Sequence, residues 1–318
     1  MRPTATSKWL LAALLLAAPS TARALTCSYS VSNASFGSVD MLSGSAVDTT
    51  ATVGINCSGL PLERVRLCPN LGAGSGGATA SARQMASAAN KLNYQLYQNS
   101  ARTTVWGSYF WSFSAQSPAL TLDLNALGSG ALTPTIYARV SGGQSTAPTG
   151  SYLSTFSGID AQLGYATCPL GVCPACSASL AGSTNASFTV NASVLNNCLV
   201  SAQNIDFGAT GVLNANVDAT GQLTVTCTPT TSYTVALNGG TTGSPPASRK
   251  MSKGSETVTY GLYQDSARSQ VWGDTSGTTV PGTGTGLAQS LIVYGRVPPQ
   301  PTPSPGLYSD TVVVTVTY

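Results

Sequence analysis

The sequence predicts an all-β protein built from two tandem antiparallel sandwiches. Three observations carry that expectation: strand-like runs bounded by turn residues, no helical apolar period after Ala24, and a repeat spanning the chain. Runs such as LTVTC (223–227), YTVAL (233–237), YGLYQ (260–264) and TVVVTVTY (311–318) are rich in Val, Thr and Tyr and alternate apolar with polar residues. Half-buried strands have this composition and period. Gly, Ser, Pro and Asn clusters separate the runs, and short strands at such spacing imply a sandwich.

The repeat sets the organisation. YQLYQNSARTTVWG (94–107) matches YGLYQDSARSQVWG (260–273) at 10 of 14 positions. Around it, Cys27, Phe36-Gly37 and Cys57 answer to Cys198, Phe207-Gly208 and Cys227. Met85 and Met251 stand equally far ahead of Tyr94 and Tyr260, and YARV (137–140) answers to YGRV (294–297). Similarity at so constant a spacing is a tandem duplication, with units 25–176 and 177–318.

Residues 1–24 precede the first unit. Arg2 and Lys8 open a short basic stretch, Trp9 to Ala18 is apolar, and Ala22-Arg23-Ala24 fits a signal-peptidase site, so export is expected. The apolar run is too short to cross a bilayer. Three of the 14 basic residues lie in this stretch, which leaves 11 against 11 acidic ones. Such a balance lacks the clustered positive footprint that nucleic acid requires and favours assembly over mutual repulsion. The chain has no histidine, which removes Ser-His-Asp and Cys-His catalysis and the usual zinc and copper ligand sets. The acids Glu63, Asp123 and Asp160 are scattered. No enzyme activity, cofactor or metal is expected.

Eight cysteines in an exported chain point to disulfides. The repeat pairs Cys27 with Cys57 and Cys198 with Cys227, at nearly equal separations. Cys68, Cys168, Cys173 and Cys176 occur only in the first unit. Structural cross-links are expected for them, with redox and metal roles as alternatives, and the spacing does not choose a pairing.

The recurring residues are C, FG, C, R-x-M, Y-x-LY-x-[ND], WG, Y-x-RV, G-x-Y and T-Y. This pattern resembles the spore coat protein U domain, the pilin module of archaic (Csu-type) chaperone–usher pili. The likeness covers nearly the whole chain twice. It is fuller in the second unit, whose FTVNASVLNNC (188–198) and GLYSDTVVVTVTY (306–318) have weaker counterparts in the first. The resemblance implies immunoglobulin-like sandwiches, with the second an incomplete pilin fold lacking its last strand. It further implies a two-domain tip adhesin acting in attachment and biofilm formation. Such a chain passes through the periplasm to the pilus tip with a pilus chaperone and an outer-membrane usher as partners. The next pilin subunit then donates an N-terminal strand.

The ends of the sequence agree with that implication. Val312, Val314, Val316 and Tyr318 share one face of an alternating strand, and an unpartnered edge of this kind invites strand addition. They are the expected strand-acceptor edge. After the expected cleavage only Leu25 and Thr26 precede Cys27, so the chain is expected to receive a strand and not to give one. The strand that closes the first unit is left open between 156–165 and part of 183–195.

One insertion distinguishes the units. The segment from Trp106 to Tyr137 is longer than its counterpart from Trp272 to Tyr294, and it opens with Tyr109, Phe110, Trp111 and Phe113. These four either form a buried strand or present an aromatic loop to an abiotic or host surface. The resemblance implies hydrophobic finger-like loops at the distal end of the first domain, and the four aromatics are the expected adhesive residues. LGAGSGGATA (71–80) and CPLGVCPAC (168–176) are further apolar loop candidates. A laterally polymerising coat or matrix protein and a glycan-binding adhesin are the alternatives.

Overall fold

The structure is a computed structural model and describes residues 24–318. The expected signal peptide lies outside the described residues except for Ala24. The chain is all β, as its alternation predicts.

The first sandwich contains β1 (Thr26–Val31), β2 (Ala34–Val39), β3 (Val47–Ser58), β4 (Arg64–Leu71), β5 (Arg83–Ser87), β6 (Asn90–Tyr97) and β7 (Leu120–Asp123). It continues through β8 (Ser129–Leu132), β9 (Thr135–Val140), β10 (Gly150–Phe156), β11 (Ala161–Thr167), β12 (Gly182–Asn185) and β13 (Phe188–Val194). One sheet runs β1-β3-β9-β6-β5-β10-β13-β2, with β8 also beside β3. The facing sheet runs β12-β11-β4-β7.

The second sandwich comprises β14 (Cys198–Ala202), β15 (Val217–Cys227), β16 (Ser232–Leu237), β17 (Arg249–Lys253), β18 (Glu256–Tyr263), β19 (Val280–Thr283), β20 (Gln289–Val297) and β21 (Val314–Thr317). Its sheets run β14-β15-β20-β18-β17 and β19-β16-β21.

Repeated side chains brace both frames in the same way. The Trp106 indole N–H donates to the Pro69 carbonyl at 2.7 Å, and that of Trp272 to Val235 at 3.0 Å. Arg83 and Arg249, both fully buried, each hold a guanidinium among main-chain carbonyls. Arg83 donates to Leu71, Gly72 and Trp106 at 2.6 Å and to the Gln95 side chain. Arg249 donates to Leu237, Asn238, Pro246 and Trp272 at 2.7–2.8 Å. Burial pushes the Arg83 guanidinium down to about 10, still protonated at neutral pH. On the surface, Asp48 pairs with Arg139 and Arg102 as Asp218 pairs with Arg296 and Arg268.

The sheets divide at a different place from the repeat. Segment 182–194, which the repeat assigns to the unit beginning at residue 177, belongs to the first sandwich through β12 and β13. Its tail FTVNASV places Phe188, Val190, Ala192 and Val194 in the core, which is why it serves as a central strand rather than a linker. β13 is antiparallel to β10, from Phe156↔Phe188 to Gly150↔Val194, and parallel to β2. Of the two stretches that the sequence leaves open, the later one closes the first unit, while 161–167 is already paired to β4 in the opposite sheet.

All eight cysteines are bonded: Cys27–Cys57, Cys198–Cys227, Cys68–Cys176 and Cys168–Cys173. The first two cross-links, Cys27–Cys57 and Cys198–Cys227, span paired neighbours on adjacent strands.

Candidate functional site

The two sandwiches diverge where β13 sits. In the second unit 205–210 takes the place of β2 and 306–312 that of β10, since Ser252↔Ser309 repeats Ala86↔Leu153. No strand lies between them among the described residues, and neither segment forms a ladder. Core residues that β13 covers in the first unit are uncovered in the second. Ala34, Phe36, Met85, Tyr152 and Phe156 are buried, whereas their counterparts Ile205, Phe207, Met251, Tyr308 and Val312 are half-buried. The result is an apolar groove flanked by two strand-like edges.

Of the four sequence-predicted edge residues, Val314 and Val316 lie in β21, paired to β16 through Leu237↔Val314 and Val235↔Val316. Val312 is half-buried beside the groove, and Tyr318 is exposed beyond the strand end. β21 matches β11 of the first unit, whose other side is taken by β12, from Gln162↔Asn185 to Tyr165↔Gly182. One bent segment, 182–194, thus runs along both β11 and β10. The corresponding track in the second unit is 306–317, longer than the valine face that the sequence pattern picks out.

Asp310 faces this groove where Ser154 stands in the first unit. It accepts from the Tyr260 hydroxyl at 2.7 Å and from Thr241 N and Oγ1 at 2.8 and 2.6 Å. Burial alone would raise its carboxyl, but these bonds outweigh burial and hold it below the usual range.

The aromatic insertion is a loop, not a strand. Gly107 and Ser108 close it by donating to Gln116 and Ala115 at 3.1 and 3.2 Å. A Cβ at Gly107 would come within 1.9 Å of the Ala115 carbonyl, so only glycine allows this closure. Tyr109, Phe110, Trp111 and Phe113 are all half-buried. Trp111 roofs the buried Arg83 guanidinium at 4.5 Å and meets Phe113 edge-on at 5.0 Å. The main-chain N–H of Tyr109 donates to the buried Asn70 at 2.9 Å. Part of the aromatic surface is therefore turned onto the domain's own flank.

A different part of the first unit is strongly apolar and exposed. Loops 59–63, 124–128 and 168–176 converge at one pole. Gly59 donates to Gly128 at 2.9 Å, Leu62 to Asn125 at 3.2 Å, and Cys168 to Arg64 at 2.9 Å. Leu62, Leu127, Leu170 and Val172 are 76, 79, 104 and 74% exposed, and Leu60 is 51% exposed. Leu62 and Leu170 adopt left-handed φ angles of 59° and 52°, which non-glycine residues hold only under constraint and which recur at functional sites. The pole follows the Ser58 end of β3. The other end, Val47, pairs with Val140, just ahead of Ser145, whose carbonyl lies against Gly286 of the second unit. Along the strand the two ends are about 35 Å apart.

Of these residues, only those in CPLGVCPAC are legible in the sequence as a candidate loop. Leu60, Leu62 and Leu127 escape that reading, although a comparison of the copies contains the signal: SGLPLE (58–63) in the first unit faces TPTT (228–231) in the second.

Comparisons with known proteins agree with this architecture. The chain is 36% identical over 113 residues to Protein U of Myxococcus xanthus, covering 33% of this chain and 63% of that protein's length. Among solved structures it resembles the CsuC-CsuE chaperone–tip adhesion subunit pre-assembly complex from archaic chaperone-usher Csu pili of Acinetobacter baumannii. That likeness has a TM-score of 0.54 at 17% identity, covering 92% of this chain and 100% of that one, and establishes the fold. The CupB6 tip adhesin of Pseudomonas aeruginosa aligns over 92% of this chain and 94% of its own, at 12% identity and a TM-score of 0.39. The family model for the Spore Coat Protein U domain matches residues 12–158 and again 184–315, so the second match includes the strand that the fold gives to the first sandwich. On these two matches, the chain belongs to the Spore Coat Protein U domain family.

Proposed function

We propose that this chain is the tip adhesin of a chaperone–usher pilus, exported through the periplasm and completed by a strand from another subunit. The observation carrying this reading is internal to the molecule. Segment 182–194 fills a groove in the first sandwich, and the equivalent groove of the second is empty among the described residues. An apolar groove between two edges that lack ladder partners is the acceptor geometry for β-strand addition. A periplasmic chaperone holds this groove first. After passage through the usher, the next subunit's N-terminal extension takes its place, running antiparallel to 306–317.

The first sandwich, closed in cis, is free to bind. Its adhesive face is the pole formed by Leu60, Leu62, Leu127, Leu170 and Val172, rather than the flank loop bearing Tyr109, Phe110, Trp111 and Phe113. Contact that removes roughly 300 Å² of apolar surface contributes about 7 kcal/mol at ~25 cal/mol per Å². Association costs on the order of 4–15 kcal/mol, so attachment and biofilm formation depend on many pili acting together. The lateral coat-protein alternative would gain from an incomplete first unit, and the first unit is complete.

Two measurements test the reading. Expressed alone, the chain should aggregate or be degraded, and co-expression with its chaperone should yield a soluble 1:1 complex. A stable, soluble monomer would overturn strand acceptance. Leu62→Ser with Leu170→Ser should abolish attachment to polystyrene without affecting the complex, whereas Phe110→Ser with Trp111→Ser should weaken it only slightly. The reverse ranking would return adhesion to the aromatic loop.

A further inference from the structure

Neither cystine special to the first unit joins its two sheets to each other. Cys68 lies on β4, which already pairs with β11 over seven residues, from Ala161↔Leu71 to Thr167↔Val65. The cystines instead enclose loop 168–176, in which only Cys168 and Cys176 are buried. Pro174 is half-buried, whereas Leu170 and Val172 are turned to solvent.

The three loops of the pole are held in different ways. In 59–63 the Glu63 carboxylate accepts from Leu60 N at 3.2 Å. In 124–128 the Asn125 side chain accepts from the N–H groups of Leu127 and Ser129 at 2.9 and 3.1 Å. Within 168–176 the turn is tied by main-chain bonds, Gly171 to Cys168 at 3.1 Å and Val172 to Pro169 at 3.0 Å. From outside the loop, Arg66 donates to Pro174 at 3.0 Å. Leu170 nevertheless sits in a left-handed conformation at φ 52°, ψ 29°. A free loop would leave that conformation and fold its leucine down onto the protein, away from any surface to be bound.

Resting on the adhesive-pole reading above, we infer that Cys168–Cys173 and Cys68–Cys176 are positioning residues for surface binding. They hold Leu170 and Val172 outward as a preorganised apolar contact, and attachment depends on Cys168–Cys173 more than folding does. Cys168–Cys173 closes only five residues, so a loop freed there gains nearly the same freedom folded as unfolded, and its release has little effect on stability. Cys68–Cys176 spans 108 residues, and its loss also frees the unfolded chain. The effect of freeing the loop falls on binding, because its side chains must then be ordered on contact.

The test uses the full chain in its chaperone complex, with two readouts: retention on polystyrene beads and the unfolding midpoint of the first sandwich. Cys168→Ser with Cys173→Ser should lower retention about tenfold and move the midpoint by less than about 3 °C. Cys68→Ala with Cys176→Ala should lower retention alike and also lower the midpoint, because that cystine closes 108 residues of the unfolded chain, and at least one of the two cystines is present in every variant. Leu170→Ser, with both cystines intact, is the control and should match the loss in retention. If Leu170→Ser loses attachment while both cystine variants keep it, the inference is overturned and the pole stands. If all three attach like the parent, the adhesive pole itself is wrong. If Cys168→Ser with Cys173→Ser loses midpoint and attachment together, or both cystine variants fail to accumulate, the cross-links are structural and the inference is overturned.

Discussion

The two sandwiches share one plan and differ by one strand. The same tryptophans, buried arginines, cystines and Asp–Arg–Arg groups recur, yet 32 buried apolar residues form the first core and 12 the second among the described residues. The difference concentrates around the place of β13. Segments 205–210 and 306–312 have the chain positions of β2 and β10 but form no ladder, because the strand that would pair with both is missing between them. A strand is a relation between two backbones, so removing one central member unmakes its neighbours as well. The second sandwich therefore displays what the first would be without 182–194.

The largest expected effect comes from breaking the complete copy. Val190→Asp puts an unpaired charge into the core beneath β10 and β2, at a cost of about 5 kcal/mol or more. Limited proteolysis of the chaperone complex should then degrade the first unit and spare the second. Survival of the first unit would mean that 182–194 is not essential to its closure. Next, Arg83→Leu strands several buried carbonyls and should cost about 3–5 kcal/mol. Arg249→Leu should cost less, since the core it serves is already open. Unfolding midpoints of the two units should separate accordingly, and equal losses would break the contrast.

A smaller effect sharpens the comparison from the other side. A peptide GSTNASFTVNASV, copied from 182–194, should enter the second groove and stabilise that unit alone. At a hundredfold excess over its dissociation constant the gain is about 2.7 kcal/mol. Amide exchange should show new protection at 306–317 and 205–210, and none in the first unit. Protection elsewhere would place the groove wrongly.

Acid should give the smallest difference. Hydrogen bonds from Arg139 and Arg296 hold the Asp48 and Asp218 carboxyls low. A carboxyl depressed in the folded state stabilises above its unfolded pKa, and this contribution fades as pH falls through the folded value. Both units should weaken alike below about pH 4. The second should weaken slightly more, because Asp310, Glu256 and Asp265 are also held low there, against Asp123 in the first. Asp310→Ser should narrow the gap between the two acid profiles without closing it.

The copies also show which parts of the site are legible in a sequence. The duplication and the alternating valines announce the fold class, the two-cystine frame and an incomplete second unit. The aromatics of 109–113 draw attention because they are large and confined to one copy. Their composition could not reveal that the buried guanidinium of Arg83 lies under Trp111 at 4.5 Å, because that contact depends on how the loop folds back. The leucines of the pole look ordinary in sequence, since single leucines are usually core. Only their convergence from three separate loops makes them a surface.

By itself the sequence determined local quantities: which residues alternate, which cysteines recur, and which segments are duplicated. These follow from periodicity and chemistry along the chain. Tertiary structure decided ownership. The family module places 184–194 at the start of the second unit, but the empty place between β10 and β2 lies within reach, and four apolar side chains gain burial there. That choice completes one sandwich and leaves the other open, so two copies of one repeat end as different structures.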